Sequence, residues 1–471
     1  MLFQRFKTPG IAHVAYVLGD AGEAIVVDPR RDTEAYVTLA RSKGLRVRYV
    51  LETHRQEDFA VGSAELAATL GAKVVSLDHP LFGHSDLRLS DGEGIELAGF
   101  RIKALHTPGH TPESTCYAVY LPDIAEAWGV FTGDTLFIGE TGRTDLTDRT
   151  KTRDNAGLLY DAVHTKLAPL GPQTLLWPAH GSGSVCGGNI APRDDSTLGL
   201  EATYNPVFTE GREAFMARKV RERIPRPPYF RTMETWNLKG HRTRPKQPGA
   251  VAVLGPKDFA RERKQGLVID ARTPEAFAAG HIPGSVNVWF EGLPVFGGWV
   301  AEENTRVYLV LPRPDDLDEA LHHLGRVGID GVEAILAKGF ESWRDAGMPL
   351  EQTGTISPKA LKEALASYAV LDVRDDQEFE SGHISGARHL YVGYLDAQLE
   401  RIRKDLGSAP IAVTCSVGHR AGIAVSLLKR HGVRDVFNLL GGMTAWEALD
   451  LPREYGPGRS VTTPDVEGAR K

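Results

Sequence analysis

The strongest constraint on how this chain can fold is that its second half repeats itself. Asp270, Arg272, Phe277, Gly280, His281, Ile282 and Gly284 recur as Asp372, Arg374, Phe379, Gly382, His383, Ile384 and Gly386, at a constant offset of 102 residues. A further echo sets Gly339 and Trp343 against Gly442 and Trp446. Solenoid and propeller repeats run about 20–50 residues, so a period this long describes two tandem domains of one kind. Each copy reads as strand, turn, helix, strand and helix, the order of a small α/β domain with a mainly parallel sheet.

The chain has 471 residues, about three domains at the usual ~150 residues each. In the first half short apolar runs alternate with helical ones. Ala24–Val27, Val47–Leu51, Val74–Ser76, Ile102–Leu105, Val130–Thr132 and Thr174–Trp177 read as strands, most of them followed by Gly-rich turns. From about Glu210 to Gly249 the character changes to a basic helical stretch, Arg212–Arg223, and a Pro-rich run, Pro225–Phe230, which together mark a bridging segment. The expected domains are residues 1–248 with this bridge at their end, 249–352 and 353–471.

Apolar residues at 42% and charged residues at 25% fit a soluble globular chain with ample core and exclude disorder or coiled coil. Fifty-five Lys and Arg against 61 Asp and Glu leave a net charge of −6. No global basic field then draws the protein onto nucleic acid or an anionic membrane, and a small-molecule substrate is expected. Ile11–Leu18 alternates like a strand and lacks the apolar core of a signal peptide. No stretch is long and apolar enough for a membrane span. Three widely spaced cysteines, Cys116, Cys186 and Cys415, point to a reducing compartment, the cytoplasm.

In the first domain four side chains sit where an apolar strand breaks into a Gly or Pro turn, a place from which a loop presents groups to a site. They are His54 in Thr53–Phe59, His110 in Thr107–Pro112, Asp134 after Gly133, and His180 after Ala179. Any one such histidine reads as a hydrogen-bonded loop residue, but four coincidences in one domain do not arise by chance. Together with Asp28-Pro29 and Gly142–Asp145 these motifs resemble the metallo-β-lactamase fold superfamily over roughly the first 200 residues. The resemblance implies a four-layer αββα sandwich with a metal site along one edge of its sheets. Hydrolases of this superfamily carry His-x-His-x-Asp-His on the first loop for two zinc ions. Here Gln56 stands where the second His belongs and Phe59 where the last one does.

That departure takes a nitrogen from each half of a dinuclear site. His54, His110 and Asp134 survive, two imidazoles and one carboxylate, the facial set that favours non-haem Fe(II) with open positions. In this respect the chain is similar to the persulfide dioxygenases. The similarity implies one Fe(II) per chain, with zinc as the other candidate, and oxidation of a low-molecular-weight, glutathione-type persulfide by O2 and water to thiol and sulfite. Asp58 and His180 match second-metal positions of the hydrolases. They are expected either to hydrogen-bond the ligands or a bound water, or to persist as buried, satisfied polar groups. Cys186 lies in a Gly- and Ser-rich loop six residues past His180. It reads either as a thiol placed to hold a persulfide sulfur or as a small loop residue. Cys116, in an apolar run, reads as packing.

In the second repeat copy the strand Pro410–Thr414 delivers Cys415 to the turn Cys415–Arg420, ahead of the helical run Ala421–Lys429. Backbone N–H groups and the helix dipole face a sulfur so placed, and Arg420 adds a fixed positive neighbour, the parts of an anion cradle. The Asp-x-Arg, Gly-His-Ile and Cys-x-x-Gly-x-Arg motifs resemble the rhodanese sulfurtransferase family, over about 100 residues in each copy. The resemblance implies a catalytic Cys415 that carries a persulfide and passes its outer sulfur to sulfite or cyanide, with Arg420 stabilising the bound anion. Asp372, Arg374 and His383 read as structural. In the first copy the strand Val307–Leu311 runs into Pro312–Asp316 without a cysteine. That copy is expected to be catalytically dead, a spacer, docking surface or oligomer contact.

The sequence thus predicts an α/β multidomain enzyme, an N-terminal metallo-β-lactamase αββα sandwich followed by two rhodanese-like α/β domains, assembling as a homo-oligomer. Its expected chemistry couples iron-dependent persulfide oxidation to sulfur transfer through Cys415, with thiosulfate formed or used. The alternative is a zinc-dependent thioester hydrolase of the glyoxalase II type with an accessory sulfurtransferase domain, and a third reading is a non-catalytic sulfur carrier. Persulfide or thiol, O2, sulfite and thiosulfate are the expected partners; nucleic acid and membrane are not.

Overall fold

A computed structural model describes residues 1–97, 99–122, 124–240, 247–457 and 459–460. The chain divides into two compact units, Met1–Pro245 with Gly325–Gly328, and Lys246–Leu324 with Ile329–Lys471. Among the described residues no helix is long and apolar enough to cross a membrane.

The first unit is built on two sheets. Strands β1 (Leu2–Thr8), β2 (His13–Asp20), β3 (Glu23–Val27), β4 (Arg46–Leu51), β5 (Lys73–Leu77) and β6 (Leu87–Leu89) lie side by side in that order. Strands β7 (Gly94–Leu97), β8 (Phe100–His106), β9 (Thr115–Tyr120), β10 (Gly129–Gly133) and β11 (Leu175–Pro178) form the second sheet in the order β11-β10-β9-β8-β7. Alternation along each strand sorts the core into three slabs. From β2, Tyr16 and Leu18 meet Phe131 and Trp177 of the other sheet, while Ala15 and Val17 meet Tyr36, Ala40 and Leu66 from helices. On the far face of the second sheet Cys116 and Ala118 pack against Leu159, Val163 and Phe215. The result is helix, sheet, sheet, helix. Cys116 is core, its thiol pushed up to about 11 by burial. The expected strands are present with ends moved by one or two residues. The run expected from Ile11 begins at His13, because Ala12 turns the chain with φ at 54°.

One expectation needs correction. The stretch after Glu210 is more than a bridge, since its helices are built into the first unit's core. Helix Arg212–Arg221 buries Phe215 and Met216, and helix Phe230–Lys239 buries Phe230, Met233 and Asn237, three and four residues apart on one face. The Pro-rich composition that suggested a linker belongs to the short connection between these helices. His84 ties down the second helix, its Nδ1 3.2 Å from the Leu238 carbonyl and its Nε2 3.1 Å from the Glu52 carboxylate.

The second unit contains one sheet plan twice. The first copy holds β12 (Ala252–Leu254), β13 (Leu267–Asp270), β14 (Val286–Asn287), β15 (Val307–Val310) and β16 (Val332–Leu336), in the parallel order β12-β16-β15-β13-β14. The second holds β17 (Gly354–Ile356), β18 (Ala369–Asp372), β19 (His383–Ile384), β20 (Arg388–His389), β21 (Ile411–Thr414), β22 (Val436–Leu439), β23 (Arg453–Glu454) and β24 (Arg459–Ser460). Its main sheet runs β17-β22-β21-β18-β20-β24, with β19 pairing β23 apart. The repeated residues are the framework of this plan. Arg272 and Arg374 clamp Asp270 and Asp372 at 2.5 and 2.7 Å and reach the carbonyls of Gly280 and Gly382. His281 and His383 stack on Phe277 and Phe379, ring centroids 3.8 Å apart in both copies. Trp343 and Trp446 donate to the carbonyls of Pro349 and Pro452.

The His84 tether makes stability depend on pH. Burial disfavours the charged imidazole, but Glu52 and the Leu238 carbonyl outweigh it and hold the group up to about 9. An unfolded histidine titrates near 6.5. The stabilisation is therefore complete below about pH 6.5 and is lost as pH rises through about 9. The midpoint of the first unit's thermal transition should fall several degrees further between about pH 7 and about pH 9.5 in the wild type than in H84Q. Equal falls in the two proteins would remove this contact as the cause.

Candidate functional site

The C-terminal ends of β4, β8, β10 and β11 lie along one edge of the sandwich and run directly into the segments carrying His54, His110, Asp134 and His180. All four side chains are buried. Parallel pairing of β3 with β4 sets Asp28 beside Thr53. Asp28 accepts the Thr53 N–H at 2.9 Å and the Thr53 hydroxyl at 2.7 Å, and burial pushes its carboxyl up to about 7. Gly133, at φ 51°, permits the close approach of β10, since a Cβ there would stand 2.6 Å from Thr53 Oγ1.

Hydrogen bonds decide which imidazole nitrogens face the centre. Thr53 gives its one hydroxyl proton to Asp28, so its oxygen accepts from His54 Nδ1 at 2.9 Å, and His54 Nε2 is left as a lone pair. His110 Nδ1 donates to the Arg143 carbonyl at 2.9 Å, which turns its Nε2 toward the centre. Asp134 Oδ2 stands 3.8 Å from His54 Nε2 and 3.5 Å from His110 Nε2. None of these three buried atoms makes a hydrogen bond among the described residues. Buried acceptors left so are costly, at roughly 1–3 kcal/mol each. One cation with ligand bonds of about 2.1 Å would satisfy all three. The donor set fits a single divalent ion.

His180 is different. Its Nδ1 lies 2.8 Å from Asp134 Oδ1 and its Nε2 2.9 Å from Asp58 Oδ2. Burial opposes its charge, but the two carboxylates raise its pKa well above the ordinary value. Neither nitrogen is left to bind an ion, and the ring holds Asp134 from behind. Phe59 fills the neighbouring space, its ring tilted at 43° to the His13 ring with centroids 4.1 Å apart. Asp58 and His180 thus form a buried ion-pair chain at the positions where the hydrolases bind a second metal.

Sequence reasoning passed over two residues here. Glu57 is fully buried, with Oε1 3.3 Å from His110 Nε2 and Oε2 3.9 Å from His54 Nε2. It lies inside the degenerate motif, and a carboxylate there was a legible sign. Asn237 was not legible, being far along the chain. Its amide donates to the carbonyls of Gln56 at 2.7 Å and Phe59 at 2.9 Å and accepts from Val61 N–H at 3.0 Å, fastening the first loop. Arg143 pairs with Asp145 and donates to the carbonyls of Ile224 and Pro225, so the Pro-rich segment is anchored beside His110's support.

Cys186 also departs from expectation. Its Gly- and Ser-rich loop does not leave the thiol open; the side chain is fully buried against Phe137 and Ile190, and Sγ lies 3.4 Å from Glu57 Oε1. Burial first, then the charges of Asp58, Glu57 and Asp134, hold this thiol well above its usual range. The same carboxylates govern the histidines. Burial takes His54 down to about 4, whereas Glu57 and Asp134 overcome burial and lift His110 to about 9. Glu57 is held below the usual carboxylate range by His110 against the effect of burial. The pocket's field favours positive charge where the lone pairs converge.

In the second unit β21 hands Cys415 to a turn that opens the helix His419–Arg430. Cys415 is buried, and the Gly418 N–H donates to Sγ at 3.1 Å from a backbone at φ 105° that favours glycine. Arg420 is not the lone cation expected. Its guanidinium is ion-paired with Glu378 at 2.6 and 2.7 Å, and Ser416 bonds both partners. Arg420 holds the Glu378 carboxyl well below its usual range against the effect of burial. At the repeat offset, the first copy has Ala276 where the second has Glu378. There Leu311 follows β15 in place of a thiol, and Arg313 pairs locally with Asp316 at 2.7 Å. The Cys-less copy packs on the copy that carries Cys415, with Trp289 stacked 4.7 Å from His419 and the Asn287 N–H donating to Ser426 Oγ at 2.9 Å.

Comparison with known proteins covers both units. Residues 8–180 match the metallo-beta-lactamase superfamily, and residues 256–346 and 357–449 each match the rhodanese-like domain. The mitochondrial persulfide dioxygenase ETHE1 of Homo sapiens is 31% identical over 230 residues, which is 48% of this chain and 84% of that protein. A hydroxyacylglutathione hydrolase of Acidiphilium cryptum is 32% identical over 177 residues, 37% of this chain and 67% of that protein. A metallo-beta-lactamase crystal structure from Staphylococcus aureus subsp. aureus COL superposes with a TM-score of 0.63 at 27% identity, covering 72% of this chain and 99% of that one.

The orientation of His54 through Thr53 is open to a direct check. T53V keeps the side chain's shape and removes both of its hydrogen bonds. Metal affinity measured by chelator competition should fall about 10–100-fold, the usual cost of losing a partner behind a ligand. Unchanged affinity would show that Thr53 does not set the ring.

Proposed function

We propose, since this chain belongs to the persulfide dioxygenase family and carries two rhodanese-like domains behind its metallo-β-lactamase domain, that it oxidises a glutathione-type persulfide at one non-haem iron and transfers sulfur through Cys415. The observation that supports this reading most is the double engagement of His180, which leaves His54, His110 and Asp134 as one set of bare donors. Bound there, Fe(II) supplies open positions at which O2 and a substrate sulfur are activated.

The chain's own residues do the remaining work. Thr53 and the Arg143 carbonyl keep the two imidazole lone pairs turned inward, and His180 with Asp58 fixes Asp134. Phe59, Phe137 and Ile190 are buried and exclude water from the same region. Persulfide, O2 and water give thiol, sulfite and two protons. The sulfite is an acceptor for the outer sulfur of a Cys415 persulfide, which yields thiosulfate and restores the thiol; the reverse transfer uses thiosulfate. One chain carrying both activities raises the effective concentration of the shared intermediate. The three free cysteines suit a reducing compartment, which we take to be the cytoplasm.

Anaerobically purified protein should hold about one iron per chain and consume O2 only when glutathione persulfide is present. D134A should lose both properties, whereas C415S should keep O2 uptake and lose sulfur transfer from thiosulfate to cyanide. Thioester hydrolysis by a zinc-loaded protein that takes up no O2 would give the site to the glyoxalase II-type alternative.

A further inference from the structure

Resting on the proposed reading for the presence of an ion, we propose that Glu57 is a fourth protein ligand, so that the centre of this chain is His54, Glu57, His110 and Asp134. Glu57 occupies a position within the first loop at which the superfamily motif carries no ligand. Here its carboxylate is fully buried and straddles the two histidines, Oε1 3.3 Å from His110 Nε2 and Oε2 3.9 Å from His54 Nε2. Ligand atoms of His54, Glu57 and His110 lie within 4.8 Å of one another, and so do those of Glu57, Asp134 and Cys186. Oε2 makes no hydrogen bond among the described residues, in common with His54 Nε2, His110 Nε2 and Asp134 Oδ2. Four buried polar atoms without a hydrogen-bond partner among the described residues therefore line one pocket. The Cys186 thiol, 3.4 Å from Oε1, accounts for one oxygen only and leaves the other unexplained.

The backbone is shaped for this. Gln56 adopts φ 38°, a left-handed conformation unusual for a residue with a Cβ, and the Asn237 amide holds the carbonyls on both sides of the turn, at Gln56 and Phe59. The turn brings residue 57 to face the pocket. Charge supplies a second argument. Asp58 is paired with His180, so once both imidazoles are bound as neutral ligands the charge left at the centre is that of Asp134 and Glu57, two negative charges that balance a divalent ion in a buried site. This chain carries Gln56 where the superfamily motif has an imidazole, and a carboxylate, Glu57, beside it. An added oxygen ligand also leaves fewer open positions and widens the set of acceptable ions toward Mn(II).

The test uses the full-length protein freed of metal, with Fe(II) and Mn(II) binding measured anaerobically by chelator competition in wild type, E57Q and E57D. Wild type should bind one ion. E57Q, which keeps the side chain's shape, should weaken binding by about a hundredfold or more, beyond the 10–100-fold typical of an outer partner, with E57D intermediate. The visible spectrum of the Co(II)-loaded protein should change in E57Q, while the metal-free thermal midpoint stays the same or rises. Affinities within about threefold of wild type and an unchanged Co(II) spectrum would overturn the assignment. So would a metal-free E57Q destabilised enough to account for its weaker binding. A wild type that binds the ion through Glu57 yet takes up no O2 with persulfide would instead overturn the dioxygenase reading and leave Glu57 a ligand.

Discussion

Both nitrogens of His180 are held by carboxylates, and the rest of the candidate centre depends on that arrangement. The imidazole lies between Asp134 and Asp58 at 2.8 and 2.9 Å, in a pocket where an unpaired charge would be costly. Because His180 takes Asp134 Oδ1, the other oxygen is turned toward His54 and His110. Because it also takes Asp58 Oδ2, that carboxylate is paired within the same network. Phe59 fills the adjoining space with an aromatic ring. One network thus orients the candidate ligand set.

The scaffold makes that network possible by placing four loop starts at one edge of two packed sheets. Strands β4, β8, β10 and β11 end at that edge, and each hands its next residues to the pocket. Close approach then depends on small residues such as Gly133, whose missing Cβ leaves room for Thr53. Helix Phe230–Lys239 adds a constraint from far along the chain, with Asn237 fastening the loop that holds His54, Glu57 and Asp58. The candidate pocket is a property of strand ends held by distant contacts, and helix Phe230–Lys239 supplies one of them.

The repeated domains separate framework from chemistry. Both copies keep the Asp–Arg clamp, the stacked Phe–His pair and the Trp-to-carbonyl bond, and both have the same strand order. Only one copy has the thiol, the Gly418 donor and the Arg420–Glu378 pair. The loop that carries the sulfur is thus separable from the residues that fold the domain. The first copy, which lacks it, is a packing partner whose Trp289 stacks on His419.

The sequence by itself determined the architecture. The period-two alternation of the strands, the breaks at Gly and Pro, and the 102-residue offset are local or near-local signals, because they record hydrophobic burial and turn geometry. It also determined that His54, His110, Asp134 and Cys415 lie at strand ends, and that Gln56 and Phe59 are not imidazoles. What only the tertiary structure decided is how these groups meet. The helix expected as a linker became core because burial depends on the neighbours it finds. Cys186, left between a sulfur-holding thiol and a small loop residue, became a buried neighbour of Glu57. Arg420 turned out to be half of an ion pair with a residue 42 positions earlier. Hydrogen-bond direction, charge pairing and the facing of lone pairs depend on atoms brought together from distant positions, so they exist only once the chain has folded.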